Sequence, residues 1–191
     1  MRILLIDGHP DPAPERLCHA LADSYLKGAQ AAGHETRRID VAGADLPLLR
    51  SEAEFHDGAL PAVAVAAQTA IEWAEHLVLV YPLWLGTMPA ALKALLEQTL
   101  RPDFAMEYGG RFPVGRLRGR SARVVVTMGM PALAYRWFYG AHSLKSLERN
   151  VLKFCGVRPV RETLYGLVGE ASDAKRARWL AEMAKLGARG R

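Results

Sequence analysis

Three runs of the chain, residues 3–6 (ILLI), 76–81 (HLVLVY) and 122–127 (ARVVVT), are almost wholly apolar. Each is too short for a useful helix. None alternates in polarity, so each fits a strand covered on both faces. Between them lie stretches of another period. Over 15–32, Leu17, Ala20, Leu21, Ser24, Tyr25 and Gly28 recur at helical spacing, and Gly33 stops the pattern. Helices are also predicted over 62–74, over 90–100 with Pro89 leading in and Leu92, Leu95, Leu96 and Leu100 on one side, over 143–154, and over 172–186 with Ser172 or Asp173 as cap. Two further strands read over 35–41, polar and so nearer an edge, and over 160–167. Residues 43–61 read as a long excursion and 104–117 as loop.

Strands alternating with helices, several of them buried runs, specify an α/β architecture with a parallel sheet covered on both faces. Five strands in this succession match the flavodoxin-like doubly wound order 2-1-3-4-5, and 191 residues suit a single domain spanning 1–191. In such sheets a ligand sits beyond the carboxyl ends of the strands, where the strand order reverses.

Bulk properties narrow the classes of function. The net charge of +5 comes from scattered basic residues with small clusters at 111–123 and 175–191, neither interleaved with stacking aromatics. That pattern reads as a solvated face and not as a nucleic-acid footprint, and an anionic ligand would account for part of it. Cys18 and Cys155 lie far apart in unlike contexts, so a reducing cytoplasm is expected and a disulfide is not. The opening MRILLIDGHP is too short in apolar residues for a signal peptide core, and no stretch approaches the roughly 18 apolar residues of a membrane span.

Three loops leave the carboxyl ends of the first, third and fourth strands, at 7–16, 82–88 and 128–140. The first leads into a helix whose N-terminal N–H groups suit a phosphate, and His9 and Arg16 stand beside it as possible donors. Neither GxGxxG nor GxxxxGK[ST] follows the first strand, which disfavours a Rossmann fingerprint and a P-loop. The second loop, within 81–89 (YPLWLGTMP), puts a tryptophan and aliphatic residues where polar ones are expected. Something flat and apolar packing there explains this, and a tricyclic flavin ring fits; coverage of the core or of a dimer interface explains it too. The third loop holds Met128, Met130, Tyr135, Trp137, Phe138 and Tyr139, the composition of a ligand-facing wall or a subunit contact.

These residues resemble the NAD(P)H:quinone oxidoreductases of flavodoxin-like fold, the group containing DT-diaphorase, bacterial drug-activity modulators and the ancillary flavoproteins of potassium-efflux systems. The resemblance runs nearly end to end. It rests on Gly8-His9-Pro10, on Arg16 to Leu21 opening the helix, on Tyr81-Pro82-Leu83-Trp84 through Met88-Pro89-Ala90-Ala91-Leu92-Lys93, on Thr127-Met128-Gly129 and on Phe154-Cys155-Gly156. It implies FMN, or FAD, as cofactor and NAD(P)H as electron donor. His9 and Arg16, with the backbone N–H groups of Leu17 and Cys18, would surround the flavin phosphate. Pro82, Leu83, Trp84 and Leu85 would line the ring, and Thr127, Met128, Gly129 and Met130 would close its other edge. Tyr135 would reach the side of the ring where negative charge develops, with His142, one residue off the family's spacing, as its catalytic companion. Arg16 stands where the family commonly has serine, and Met128-Gly129-Met130 replaces Thr-Gly-Gly, which makes the substrate pocket more apolar.

The activity so implied is two-electron hydride transfer from NAD(P)H to a quinone through one shared site, by a cytoplasmic homodimer. An electron carrier of flavodoxin type and a regulatory flavoprotein subunit of a transporter are the competing readings. The basic charge and the aromatic third loop speak against the carrier.

Overall fold

The computed structural model describes residues 1–109 and 112–191. Arg111, at the head of the first basic cluster, lies outside the described residues. The apolar runs form β1 (Arg2–Asp7), β3 (His76–Pro82) and β6 (Ser121–Thr127), and the more polar ones form β2 (Glu35–Asp40) and β7 (Val160–Tyr165). All five pair in parallel in the order β2-β1-β3-β6-β7, the predicted doubly wound arrangement. β2 and β7 are the edges, which is why their burial is incomplete while every residue of β3 is buried.

Alternation along β1 divides the core. Ile3 and Leu5 face one layer with Leu21 and Tyr25 of α1 (Leu17–Ala31) and Met183 of α6 (Asp173–Ala188). Leu4 and Ile6 face the other, with Ala67 and Ile71 of α3 (Ala62–Trp73) and Leu92 and Leu95 of α4 (Ala90–Thr99). Each such leucine removed from water contributes about 1.5–3 kcal/mol. Ser172 caps α6, accepting the N–H of Lys175 at 3.3 Å.

Three features depart from the sequence reading. The 43–61 excursion contains a short helix, α2 (Glu52–Asp57), begun by a capping arrangement in which Ser51 Oγ accepts the N–H of Glu54 at 3.1 Å. Buried Arg101 ties α2 to the end of α4 by donating to the carbonyls of Glu54 and Gly58 at 2.9 and 2.7 Å. The 104–117 loop contains a two-stranded ribbon, β4 (Met106–Glu107) with β5 (Val114–Gly115), too short to show alternation. The helical stretch after residue 141 is α5 (His142–Ser146) followed by a π-helical turn, Leu147–Leu152, and another π-helical turn, Ala134–Phe138, shapes the loop after β6.

Candidate functional site

β1, β3 and β6 end side by side, so the loops that follow them share one edge of the sheet. Gly8 makes the first exit possible: a Cβ there would stand 2.6 Å from Leu92 Cδ2 and 3.1 Å from Tyr81 Cβ. A side chain there would crowd Tyr81 of β3 and Leu92 of α4.

Asp7 organises the first loop from a fully buried position. Its Oδ1 accepts the N–H of His9 at 3.1 Å. Its Oδ2 accepts from His19 Nδ1 at 2.6 Å and from Arg38 Nη2 at 2.9 Å. His9 Nδ1 accepts the N–H of Asp11 at 3.1 Å, and Asp11 Oδ1 accepts the N–H of Ala13 at 3.0 Å. The loop is therefore wound by its own side chains. Arg16, predicted as a phosphate donor, instead forms an exposed ion pair with Asp11 at 2.7 Å. What the loop leaves open is backbone. Arg16 at the N-cap of α1 has no side-chain cap hydrogen bond, and the N–H groups of Leu17 and Cys18 meet no acceptor among the described residues. These are the donors a phosphate needs.

The second loop is a tight hairpin. Trp84 and Thr87 exchange N–H···O bonds at 2.9 and 3.0 Å around Leu85 and Gly86, which have φ of 46° and 79°. The N–H of Leu83 is bonded to the Thr127 carbonyl at 2.7 Å. So the backbone donors of Leu83 and Trp84 are spent, and those of Leu85 and Gly86 are free among the described residues. Pro82 is buried in the strand, Leu83 is half-buried, and Leu85 is fully exposed at the tip. The Trp84 ring stands edge-on to the His9 ring with centroids 5.7 Å apart, which brings the first two loops into contact.

In the third loop, Thr127 and Met128 are buried, Met130 is half-buried and Gly129 is exposed. The N–H groups of Gly129 and Met130 are unspent among the described residues, and a Cβ on Gly129 would have no atom within 4 Å. Tyr135, predicted to reach the ring, has its hydroxyl engaged within the protein. It is buried, and its hydroxyl pairs with Ser143 Oγ at 3.1 Å and accepts the N–H of Leu144 at 3.3 Å. His142 shares no hydrogen bond with Tyr135 among the described residues and lies exposed beside the Trp84 hairpin. There it lines a hollow of about 670 Å³ together with Trp84, Met88, Lys93 and Val151. The π-helical turn carrying Tyr135 turns its ring inward, while Leu133, Trp137, Phe138 and Tyr139 remain exposed.

Sequence reasoning missed Asp7, His19, Arg38 and Ser143. A charged residue ending an apolar strand was the available sign for Asp7. The tyrosine at the end of β3, Tyr81, has a buried hydroxyl with no partner among the described residues, and burial pushes its pKa up. Cys18 Sγ lies 3.3 Å from Thr127 Oγ1, and burial pushes its thiol up to about 12, the Thr127 contact opposing only in part. Burial alone raises Cys155 to about 12. Both thiols are thus expected to resist a thiolate-selective reagent at pH 8 in the native protein and to react fully in denaturant. Rapid native labelling of either would contradict the packing described.

The fold defines a flavodoxin-like α/β protein whose three loops gather at the switch point of the sheet. The chain belongs to the Flavodoxin_2 family, of flavodoxin-like fold, whose profile it matches over residues 1–186. It is similar to a protein called an uncharacterized NAD(P)H oxidoreductase in Haemophilus influenzae, 29% identical over 180 residues that cover 92% of this chain and 89% of that one. It is similar to an FMN-dependent NADH:quinone oxidoreductase of Burkholderia lata, 26% identical over 91% of this chain and 93% of its relative. Against a longer fungal relative the chain spans 65% of the length. Among solved structures, Smu.1420 from Streptococcus mutans superposes with a TM-score of 0.79 at 26% identity, covering 99% of this chain and 100% of its own. Among the described residues no helix is long and apolar enough to cross a membrane.

Proposed function

We propose that this protein is a flavin-dependent NAD(P)H dehydrogenase that reduces quinones or similar acceptors by two-electron hydride transfer. One observation carries the reading. Unspent backbone N–H groups from three loops, at Leu17 and Cys18, at Leu85 and Gly86, and at Gly129 and Met130, belong to one edge of the sheet beside an exposed tryptophan. The first pair fits a phosphate at a helix N-terminus, and the others fit the polar edge of an apolar ring. The FMN dependence named for the Burkholderia relative supports FMN as the occupant.

When bound, the flavin supplies the hydride chemistry. The chain's part is binding and orientation. Leu17 and Cys18 would hold the phosphate, with His9 Nε2–H beside them; Trp84 and Leu83 would pack on the ring, and the Gly129 and Met130 N–H groups would stabilise charge developing on it. Tyr135 contributes through the packing of its loop, since its hydroxyl is engaged by Ser143 and Leu144.

A homodimer belongs to the same reading. The hollow beside Trp84 shares Lys93 and Val151 with a second one of about 190 Å³ lined by Leu96, Met106, Tyr108 and Phe154. An apolar face of that extent suits a second copy of the chain, and light scattering of the purified protein tests it. A cytoplasmic location is supported by two buried, unpaired thiols.

The absorption spectrum of the purified protein, with release and identification of any flavin, tests the function. Flavin bands and NAD(P)H-dependent quinone reduction with ping-pong kinetics are expected. A colourless protein that FMN and FAD both fail to reconstitute would sink it. In Trp84→Ala the backbone donors remain and the ring packing goes. Turnover should therefore fall on the order of tenfold or more while FMN affinity changes by less than about threefold. The reverse pattern would place Trp84 among the groups that hold the cofactor.

A further inference from the structure

The first loop is wound around His19, a residue with no part in the binding contacts just described. His19 Nδ1 lies 2.6 Å from Asp7 Oδ2 and Nε2 lies 2.9 Å from the carbonyl oxygen of Asp11. A carboxylate and a carbonyl only accept hydrogen bonds. Both contacts are satisfied together only by an imidazolium, which carries a proton on each nitrogen. His9 is in the opposite condition. Its Nδ1 accepts the N–H of Asp11, which requires a bare nitrogen there and leaves the ring neutral with its proton on Nε2. Two histidines with ring centroids 5.4 Å apart are thus held in different protonation states by their partners.

We infer that His19 is a positioning residue whose imidazolium ties the phosphate-binding loop to the end of β1, so that loss of its proton loosens the loop and weakens binding of the flavin phosphate. The inference rests on the flavin reading only in its last step; the tie itself belongs to the chain. Neutral His19 has one N–H for two acceptors. It keeps Asp7 or Asp11, and either choice frees one end of the strap between Asp7 and Asp11 that positions Leu17 and Cys18.

Charge acts in the same direction. Asp7 on β1, Asp23 on α1 and Asp40 on β2 are faced by Arg38 and His19, while Asp11 pairs with Arg16. With His19 charged, that set of three carboxylates and two cations carries one net negative charge, and with His19 neutral it carries two. A dianionic phosphate nearby is disfavoured by the change. Burial by itself lowers the His19 pKa, but the hydrogen bonds to Asp7 and the Asp11 carbonyl outweigh it and Arg38 opposes only weakly, so the net shift is upward. For His9, burial and then the His19 charge lower it. The Cys18 thiol, at about 12, does not titrate in the relevant range. The sign follows. A raised imidazole contributes fully below about pH 6.5, and its contribution is lost as pH climbs through its folded-state value.

The test uses the full chain from pH 6 to 9, with His19→Gln reporting any contribution from the phosphate's own titration near pH 6. Nitrogen-15 spectra of the flavin-free protein should show His19 protonated on both nitrogens on the acid side of a midpoint that lies above about 6.5, and His9 as the neutral Nε2–H form. Amide exchange at 11–16 should quicken through the His19 midpoint, and the FMN dissociation constant should rise roughly tenfold across it. His19→Gln, which has no such titration, should show the wild type's high-pH exchange and affinity at every pH. A His19 midpoint at or below about 6.5, or loop exchange indifferent to its titration, overturns the inference. Failure of FMN to bind at any pH, with the exchange behaviour as expected, overturns the flavin reading and upholds the tie.

Discussion

Replacing Asp7 by alanine is expected to lower the unfolding free energy by about 3 kcal/mol, toward the lower end of what breaking a buried ion pair costs. The side chain is fully buried and receives three donors: the N–H of His9, His19 Nδ1 and Arg38 Nη2. Alanine removes the acceptor and leaves the donors. Arg38 keeps Asp23 and Asp40 as partners, which limits the damage on that side. His19 has no second carboxylate, so its charge loses its main support. Asp7→Asn keeps the volume and one carbonyl acceptor and should cost less than the alanine change. Urea unfolding of both variants at pH 7, at unchanged denaturant slope, measures the difference. A loss under about 1 kcal/mol for alanine would mean that the three bonds stabilise the fold no more than water does.

The second large effect lies far from the site. Gly28→Val should cost about 4 kcal/mol or more, or leave no folded protein. A Cβ at Gly28 would stand 2.0 Å from the carbonyl oxygen of Ala184, and one at Gly187 would stand 2.0 Å from that of Tyr25. Helices α1 and α6 therefore touch backbone to backbone, and neither obstacle is a side chain that can swing away. Separating them would unpack Tyr25 and Met183, both with no exposed surface, and open the layer beneath β1. Lys27→Ala, one position away and facing solvent, is the control and should stay within about 0.5 kcal/mol. Thermal or urea unfolding decides, and a valine variant of normal stability would show that the two helices stand further apart than described. Because α1 also presents the Leu17 and Cys18 N–H groups, a partly folded variant should bind FMN poorly as well.

Much of this was readable in the chain. An apolar run such as 76–81 stands out because a strand buried on both faces has no polar positions to spare, and α1 and α6 stand out because their buried residues recur every three or four positions. α2 carries a weaker mark, a serine followed three residues later by a glutamate at Ser51 and Glu54, with no apolar run behind it to signal a helix. The β4–β5 ribbon had none, since two residues cannot display a period.

By itself, then, the sequence determined the five strands of the main sheet and the loops that follow them, because periodicity and turn chemistry are properties of neighbours along the chain; their order followed from the match of that succession to a doubly wound sheet. The tertiary structure alone decided how those loops spend their hydrogen bonds. Tyr135 went to Ser143 and Leu144 and not to His142, the Leu83 N–H went to Thr127, Arg16 went to Asp11, and His19 and Arg38 came together on Asp7. Those choices turn on ångström-scale approaches between segments 12 and 31 residues apart, as for His19 and Arg38 with Asp7. A donor buried in the fold must take whichever acceptor packing brings within reach, and no local pattern of residues says which one that is.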